Sequence, residues 1–284
     1  MKNPNIKQPI NLIMFFGALI GDYSLIAFAF YLAAIGGWWA YPVSLLLLGI
    51  AQHRISILGH EGVHGLITHN RKINDFIGQV FCFWPLLTDL KSYREFHGNH
   101  HKHLGKDGMD PEHNMKGDRY HLPITRKRLV YDFIADCFGA SIKEFLQTMK
   151  YFGKKDNPVW ASTFIFISGG LSIYIGHPEF FVLFIVSKFT TFWAVFRLRI
   201  YTEHTDIPGT HRVYLNAWQK FLFSPHHIGI HWEHHNFPQY PFWQLPKIRN
   251  MHHEEPIVTF GELLNFHEKL NARPLSENKS AISH

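Results

Sequence analysis

The segment His231-Trp232-Glu233-His234-His235 holds three imidazoles in an H-x-x-H-H pattern. On a helix, side chains three and four positions apart share one face, so these rings can converge on one point. The geometry recurs upstream: His60-Glu61-Gly62-Val63-His64 offers an i, i+4 pair, and His97-Gly98-Asn99-His100-His101 offers a second triple. Unbound imidazoles crowded on one face repel when protonated and lose hydration when neutral, so a metal is the economical reason for such clusters. His69, His113, His121, His177, His252, His253, His267 and His284 need no such account and read as ordinary surface or satisfied core residues.

Eight ring nitrogens exceed the needs of one ion. A tetrahedral zinc takes four ligands, or three with an open position, so the count points to a pair of metals. Imidazole suits iron, copper, nickel and zinc, and ligand type alone does not choose among them. Glu61, Glu95, Glu203 and Glu233 lie beside or between candidate ligands. Metal-bound histidines usually give their other N–H to a carboxylate or carbonyl, which fixes the ring and raises its basicity, so some of these four are expected in that role. The ordinary alternative for each is a solvated surface carboxylate.

The elements that must bring the boxes together are set by apolar runs. An apolar run over residues 10–35 exceeds a signal peptide's core and is long enough to cross about 30 Å of hydrocarbon. Gly36-Gly37-Trp38-Trp39-Ala40-Tyr41-Pro42 combines turn formers with interfacial aromatics, and residues 43–58 return into the membrane. A second hairpin is predicted over 159–175 and 180–200, turning at Gly176-His177-Pro178-Glu179. The expected fold is thus an all-α integral membrane protein, four transmembrane helices as two hairpins beneath a histidine-rich cap of residues 59–158 and 201–270. Together these make one domain over 1–270, followed by a disordered polar tail at 271–284.

Residues 66–158 carry 15 of the 28 Lys and Arg residues, whereas the two tight turns carry none, so the positive-inside rule places this segment, both termini and all three boxes in the cytoplasm. Residues 73–87 and 129–152 mix apolar and charged positions and read as interfacial helices. Asp22, Arg54 and Lys188 interrupt the apolar runs, where a charge is expensive unless paired or facing a cavity, and Asp22 with Lys188 or Arg54 is a candidate pair. Cys82 and Cys137 form no C-x-x-C and read as buried thiols. A formal charge of +6, with aromatics concentrated in apolar runs rather than in a basic patch, argues against nucleic acid as a partner.

A metal pair at the cytoplasmic mouth of an apolar bundle suggests oxidation of a lipid chain, because iron can activate dioxygen against an unactivated C–H bond. At this point the residues resemble the membrane fatty acid desaturase and hydroxylase superfamily, whose pattern is H-x-x-x-H, H-x-x-H-H and a late H-x-x-H-H around two transmembrane hairpins. Further likenesses are Asp110-Pro111-Glu112, the Arg199-x-Tyr201-x-Glu203-His204 segment, and the run from Pro225 through box three to Leu245-Pro246. The resemblance implies a di-iron centre that removes two hydrogens from a fatty acyl chain using dioxygen and two electrons. Carried over, the ligands are His60, His64, His97, His100, His101, His231, His234 and His235. His204 would be a ninth, since members of the family take an extra ligand between helix four and the last box. His227 competes for that role, because a helix continuing four residues upstream of His231 would put it on the same face.

Such chemistry needs outside electrons. The sequence has neither a His-Pro-Gly-Gly haem motif nor rubredoxin-like cysteine pairs, so a separate donor is expected, such as a ferredoxin, a rubredoxin or a b-type cytochrome with its reductase. Within the family, hydroxylation and carotenoid ketolation share these boxes with desaturation and stand as alternatives. His60-Glu61-Gly62-Val63-His64 also spells the H-E-x-x-H of a zinc protease, a reading that leaves six or more spaced histidines idle. A non-enzymatic metal transporter would place its ligands near the membrane midplane rather than at helix ends.

Overall fold

The computed structural model describes residues 10–113, 118–152, 158–207 and 209–265. The tail expected to be disordered, 271–284, lies outside the described residues, as do His267 and His284.

Helix α1, Leu12–Gly36, opens on Asn11, whose side-chain oxygen accepts from the N–H groups of Ile13 and Met14. It is apolar all round: Phe15, Leu19, Ile26 and Ala33 are buried while Ile13, Ile20, Phe28 and Ile35 are exposed, the pattern of a helix packed on one side and bathed in lipid on the other. A tight turn carrying the exposed, stacked Trp38 and Trp39 leads into α2, Tyr41–His64. The second helix therefore runs past the expected end at residue 58 and contains box one instead of preceding it. It stops at Gly65, which takes the left-handed conformation that a side chain resists, with its N–H and that of Leu66 turned back onto carbonyls of the last turn.

Leu12–Trp39, Tyr41–His64 and Pro178–Tyr201 are each long and apolar enough to cross a membrane, which makes this a multi-pass membrane chain. The first arm of the expected second hairpin is shorter. Helix α7, Pro158–Tyr174, has 17 residues, about 26 Å of rise against about 30 Å of hydrocarbon. The other arm is broken at Thr190 (φ −126°, ψ −91°) into α8, Pro178–Phe189, and α9, Thr191–Tyr201. Hydroxyls explain the break: Thr190 Oγ1 donates to the Val186 carbonyl and Thr191 Oγ1 to that of Leu45, so side chains compete for groups the helix ladder would use. Helix α9 packs closely on α2 at Gly49, where any Cβ would come within 2.6 Å of the Phe192 backbone nitrogen.

The segments between and after the spans carry the remaining boxes. Asn70 caps α3, Arg71–Gly78, which ends in one π turn, Gln79–Phe83, short of the predicted limit at residue 87. Asp89 caps α4, Leu90–His103, the bearer of box two. The predicted helix over 129–152 divides into α5, Arg126–Cys137, and α6, Ile142–Phe152. Beyond α9 come α10, Ala217–Leu222; α11, His231–Asn236; α12, Leu245–Met251; and α13, Phe260–Leu264. The chain is not purely helical: β1, Val213–Tyr214, pairs in parallel with β2, Val258–Thr259, two short stretches rich in β-branched residues that join the segments on either side of box three.

Of the charges inside apolar runs, Asp22 takes Arg54 (2.5 Å) and His226 (2.7 Å) as partners, not Lys188. Cys82 is buried as expected, but Cys137, in the last turn of α5, is half-buried.

Candidate metal centre

Two groups of rings form: box one joins the first whole, while boxes two and three are each divided by their helices between the two. His60 and His64, one turn apart on α2, meet His97 and His101 from α4 and His234 from α11. His100 from α4 turns the other way and meets His204, His231 and His235. Within each group the nitrogens lie within 4.8 Å of one another. The Nε2 atoms face each other: His60 to His97 at 2.8 Å, His97 to His64 at 3.0 Å, His234 to His101 at 3.2 Å, and His231 to His235 at 3.0 Å. The groups adjoin where the His101 and His235 rings stack at 4.1 Å.

His204, just after α9, thus joins the second group. His227 joins neither: His226 and His227 both have left-handed backbones, so the helix starts only at His231 and does not extend upstream as the competing reading required.

Burial holds His97, His234 and His235 well below the ordinary imidazole range, with neighbouring rings as the second cause, and pushes His101 down to about 2. Rings held this low are neutral, each with a lone pair that can bind a cation. Two buried groups of converging ring nitrogens fit two divalent ions of the kind imidazole binds.

The four glutamates separate. Glu203, buried, is clasped by Arg199 four residues earlier and lies 3.5 Å from His231 Nδ1. Burial raises its pKa, helped by Glu112, and Arg199 opposes the rise. Glu233 is fully buried and receives Arg212 Nε and Arg249 Nε, each at 2.8 Å, so it anchors box three to the β1–β2 side without touching a ring. Glu61 accepts from the Phe242 backbone N–H at 3.0 Å. Glu95 does not play the expected part: it lies on the exposed face of α4, because at two residues before His97 it points away from the rings.

Two carboxylates not singled out as ring partners take that place. Asp110 accepts from His100 Nδ1 at 2.9 Å and from the backbone N–H groups of Gly105 and Glu112. Burial raises its pKa, but the His100 bond and the two N–H groups more than offset this and leave it below the usual range. Glu112 lies 3.3 Å from His204 Nε2 and 3.6 Å from His100 Nε2, within the second group. The sequence signal was their position, nine and eleven residues after box two, but nothing in spacing said the chain would double back after α4.

Box one and box two are locked by Arg94 of α4. Its guanidinium donates to the Gly62 and Val63 carbonyls at the end of α2 and forms a forked pair with Asp75 of α3 at 2.6 and 2.9 Å. Beside the rings lies a largely apolar cavity of about 330 Å³ walled by α2, α4, α6, α7, α8, α9 and the π turn after α3. Tyr93, in its wall, stacks on His97 with the planes 5° apart.

The family model described as fatty acid desaturase matches residues 36–258. The chain is 27% identical to a dihydrorhizobitoxine desaturase of Bradyrhizobium elkanii, over 83% of this chain and 74% of that one. It is 24% identical to an sn-1 oleoyl-lipid 12-desaturase of Arthrospira platensis, over 75% and 68%. It is 22% identical to a zeaxanthin 4-ketolase of Chlamydomonas reinhardtii, over 69% of this chain but 41% of that one, so it spans less than half the ketolase.

Proposed function

This chain belongs to the fatty acid desaturase family, an oxidoreductase family, and on that footing we propose that it desaturates a fatty acyl chain with dioxygen at a histidine-held di-iron centre. The observation that carries the reading is the apolar cavity lying beside two groups of converging imidazoles, with Tyr93 stacked on His97 and Glu112 next to His100 and His204. His60, His64, His97, His101 and His234 would hold one iron, and His100, His204, His231 and His235 the other. The irons would supply the activation of dioxygen against a C–H bond.

The chain's own residues do the positioning. Asp110 fixes the His100 ring by accepting a hydrogen bond from its Nδ1–H, Arg199 and Glu203 orient His231, and Glu112 adds negative charge where a second cation would sit. The aromatic wall of Tyr93, Phe96, Phe192 and Phe196 excludes water and holds a hydrocarbon chain beside the rings. Two electrons per turnover come from a separate donor, such as a ferredoxin, a rubredoxin or a b-type cytochrome with its reductase. The site faces the cytoplasm with both termini, the side on which the basic segments lie.

Expression of the chain in a host lacking the activity, followed by fatty acid profiling, tests the reading. New double bonds that vanish in His100→Ala support it. Keto or hydroxy products would favour the second reading, oxygenation within the same family, which the ketolase relative supports. One bound zinc and no iron in purified protein would end both.

A further inference from the structure

The cavity beside the histidines contains one charge, Lys188, that no carboxylate among the described residues pairs with. Its metal end is marked by Glu112, next to His100 and His204, and by Arg199, paired with Glu203. Lys188, in the last turn of α8, lines the same cavity and is 8% exposed. Its ammonium sits 3.6 Å over the Phe192 ring. Phe192 stacks with Phe196 at 6.0 Å, and the Arg199 guanidinium lies 5.6 Å from Phe196. An aromatic rail therefore runs from Lys188 to the metal end.

Other buried or half-buried bases have carboxylate partners: Arg54 has Asp22, Arg197 has Asp136, Arg199 has Glu203 and Arg212 has Glu233. Among the described residues no ion pair reaches Lys188. Asp22, the nearest candidate by sequence, is held by Arg54 and His226, and Glu144, also in the cavity wall, lies by Arg197. An ammonium within a span is costly without a counter-charge, and a phenyl face answers it only in part.

Taking the cavity as the substrate site of the proposed oxidation, we propose that Lys188 receives the substrate's carboxylate, so that this protein acts on an unesterified carboxylic acid bound carboxylate-first. The acid completes an ion pair of the kind the neighbouring bases already have, while its chain follows Phe192 and Phe196 towards the histidines. An ester or thioester carbonyl offers only a neutral acceptor, and a methyl end offers none. A volume of about 330 Å³, at the low end for small-molecule sites, suits an acid of modest length.

The test is binding of decanoate, methyl decanoate and decanol to the metal-loaded full chain in nanodiscs, read by tryptophan emission, since Trp193 is in the cavity wall. Decanoate is expected to bind about tenfold more tightly than its ester, a step of one ion pair. Lys188→Met should erase that preference, whereas Lys188→Arg keeps most of it. Equal affinities in the native protein, or a preference that survives Lys188→Met, overturn the proposal. Should Lys188→Met fail to fold, the native comparison of acid with ester decides alone. Acid preference with no oxidised product in the presence of dioxygen and reductant would sink the enzymatic reading instead, so the two failures are distinct.

Discussion

Asp110 and Glu233 are both buried carboxylates near the rings, but they act on different things and predict different losses. Asp110 touches His100 directly, so Asp110→Asn, which keeps the shape and removes the charge, should lower metal affinity about 10- to 100-fold in chelator competition. Glu233 touches no ring; it neutralises Arg212 and Arg249. Glu233→Gln leaves the buried Arg212 and the half-buried Arg249 short of a counter-charge and should cost about 3 kcal/mol in unfolding free energy. If Asp110→Asn binds metal normally, the bond to His100 is not one that supports a ligand.

At the scale of elements, the site depends on two tight crossings. Gly49 lets α2 and α9 approach, so Gly49→Leu should force the spans apart and cost several kcal/mol, on the order of an overpacked core. Thermal unfolding of the membrane-embedded protein measures it. The clamp of Arg94 and Asp75 ties α3 and α4 to the end of α2. Burial works against the Asp75 carboxylate, but Arg94 and Asn74 outweigh it and hold its pKa below the usual value. A depressed carboxylate gives stability that is present above its unfolded pKa, about 3.9, and is lost as pH falls through the lower folded value. Asp75→Asn should therefore lower the melting temperature at neutral pH, by the equivalent of about 1–2 kcal/mol. It should also flatten the acid limb below about pH 4.

For the whole molecule, three long apolar helices predict that the protein stays in the membrane pellet after an alkaline wash. Reporter sites in the Trp38–Trp39 turn and at His177 should both label from the side opposite the Gly105 turn. Labelling from one common side would refute the proposed orientation.

Much of this was legible in the chain because it is written locally. Helical spacing made three boxes of histidines from the sequence alone, apolar run length gave three of the four expected spans at crossing length, and turn residues gave their joints. Box one inside α2 was misjudged because a helix that leaves hydrocarbon need not end there, and the Thr190 break was missed because it depends on which carbonyls the hydroxyls reach. The partition of nine imidazoles into five and four, the place of His204 over His227, and the roles of Asp110 and Glu112 depend on how segments far apart in sequence are turned against each other. Periodicity reports which side chains share a face. It does not report what that face meets, and only packing decided that two faces of boxes two and three meet different partners and that Lys188 was left facing a cavity instead of Asp22.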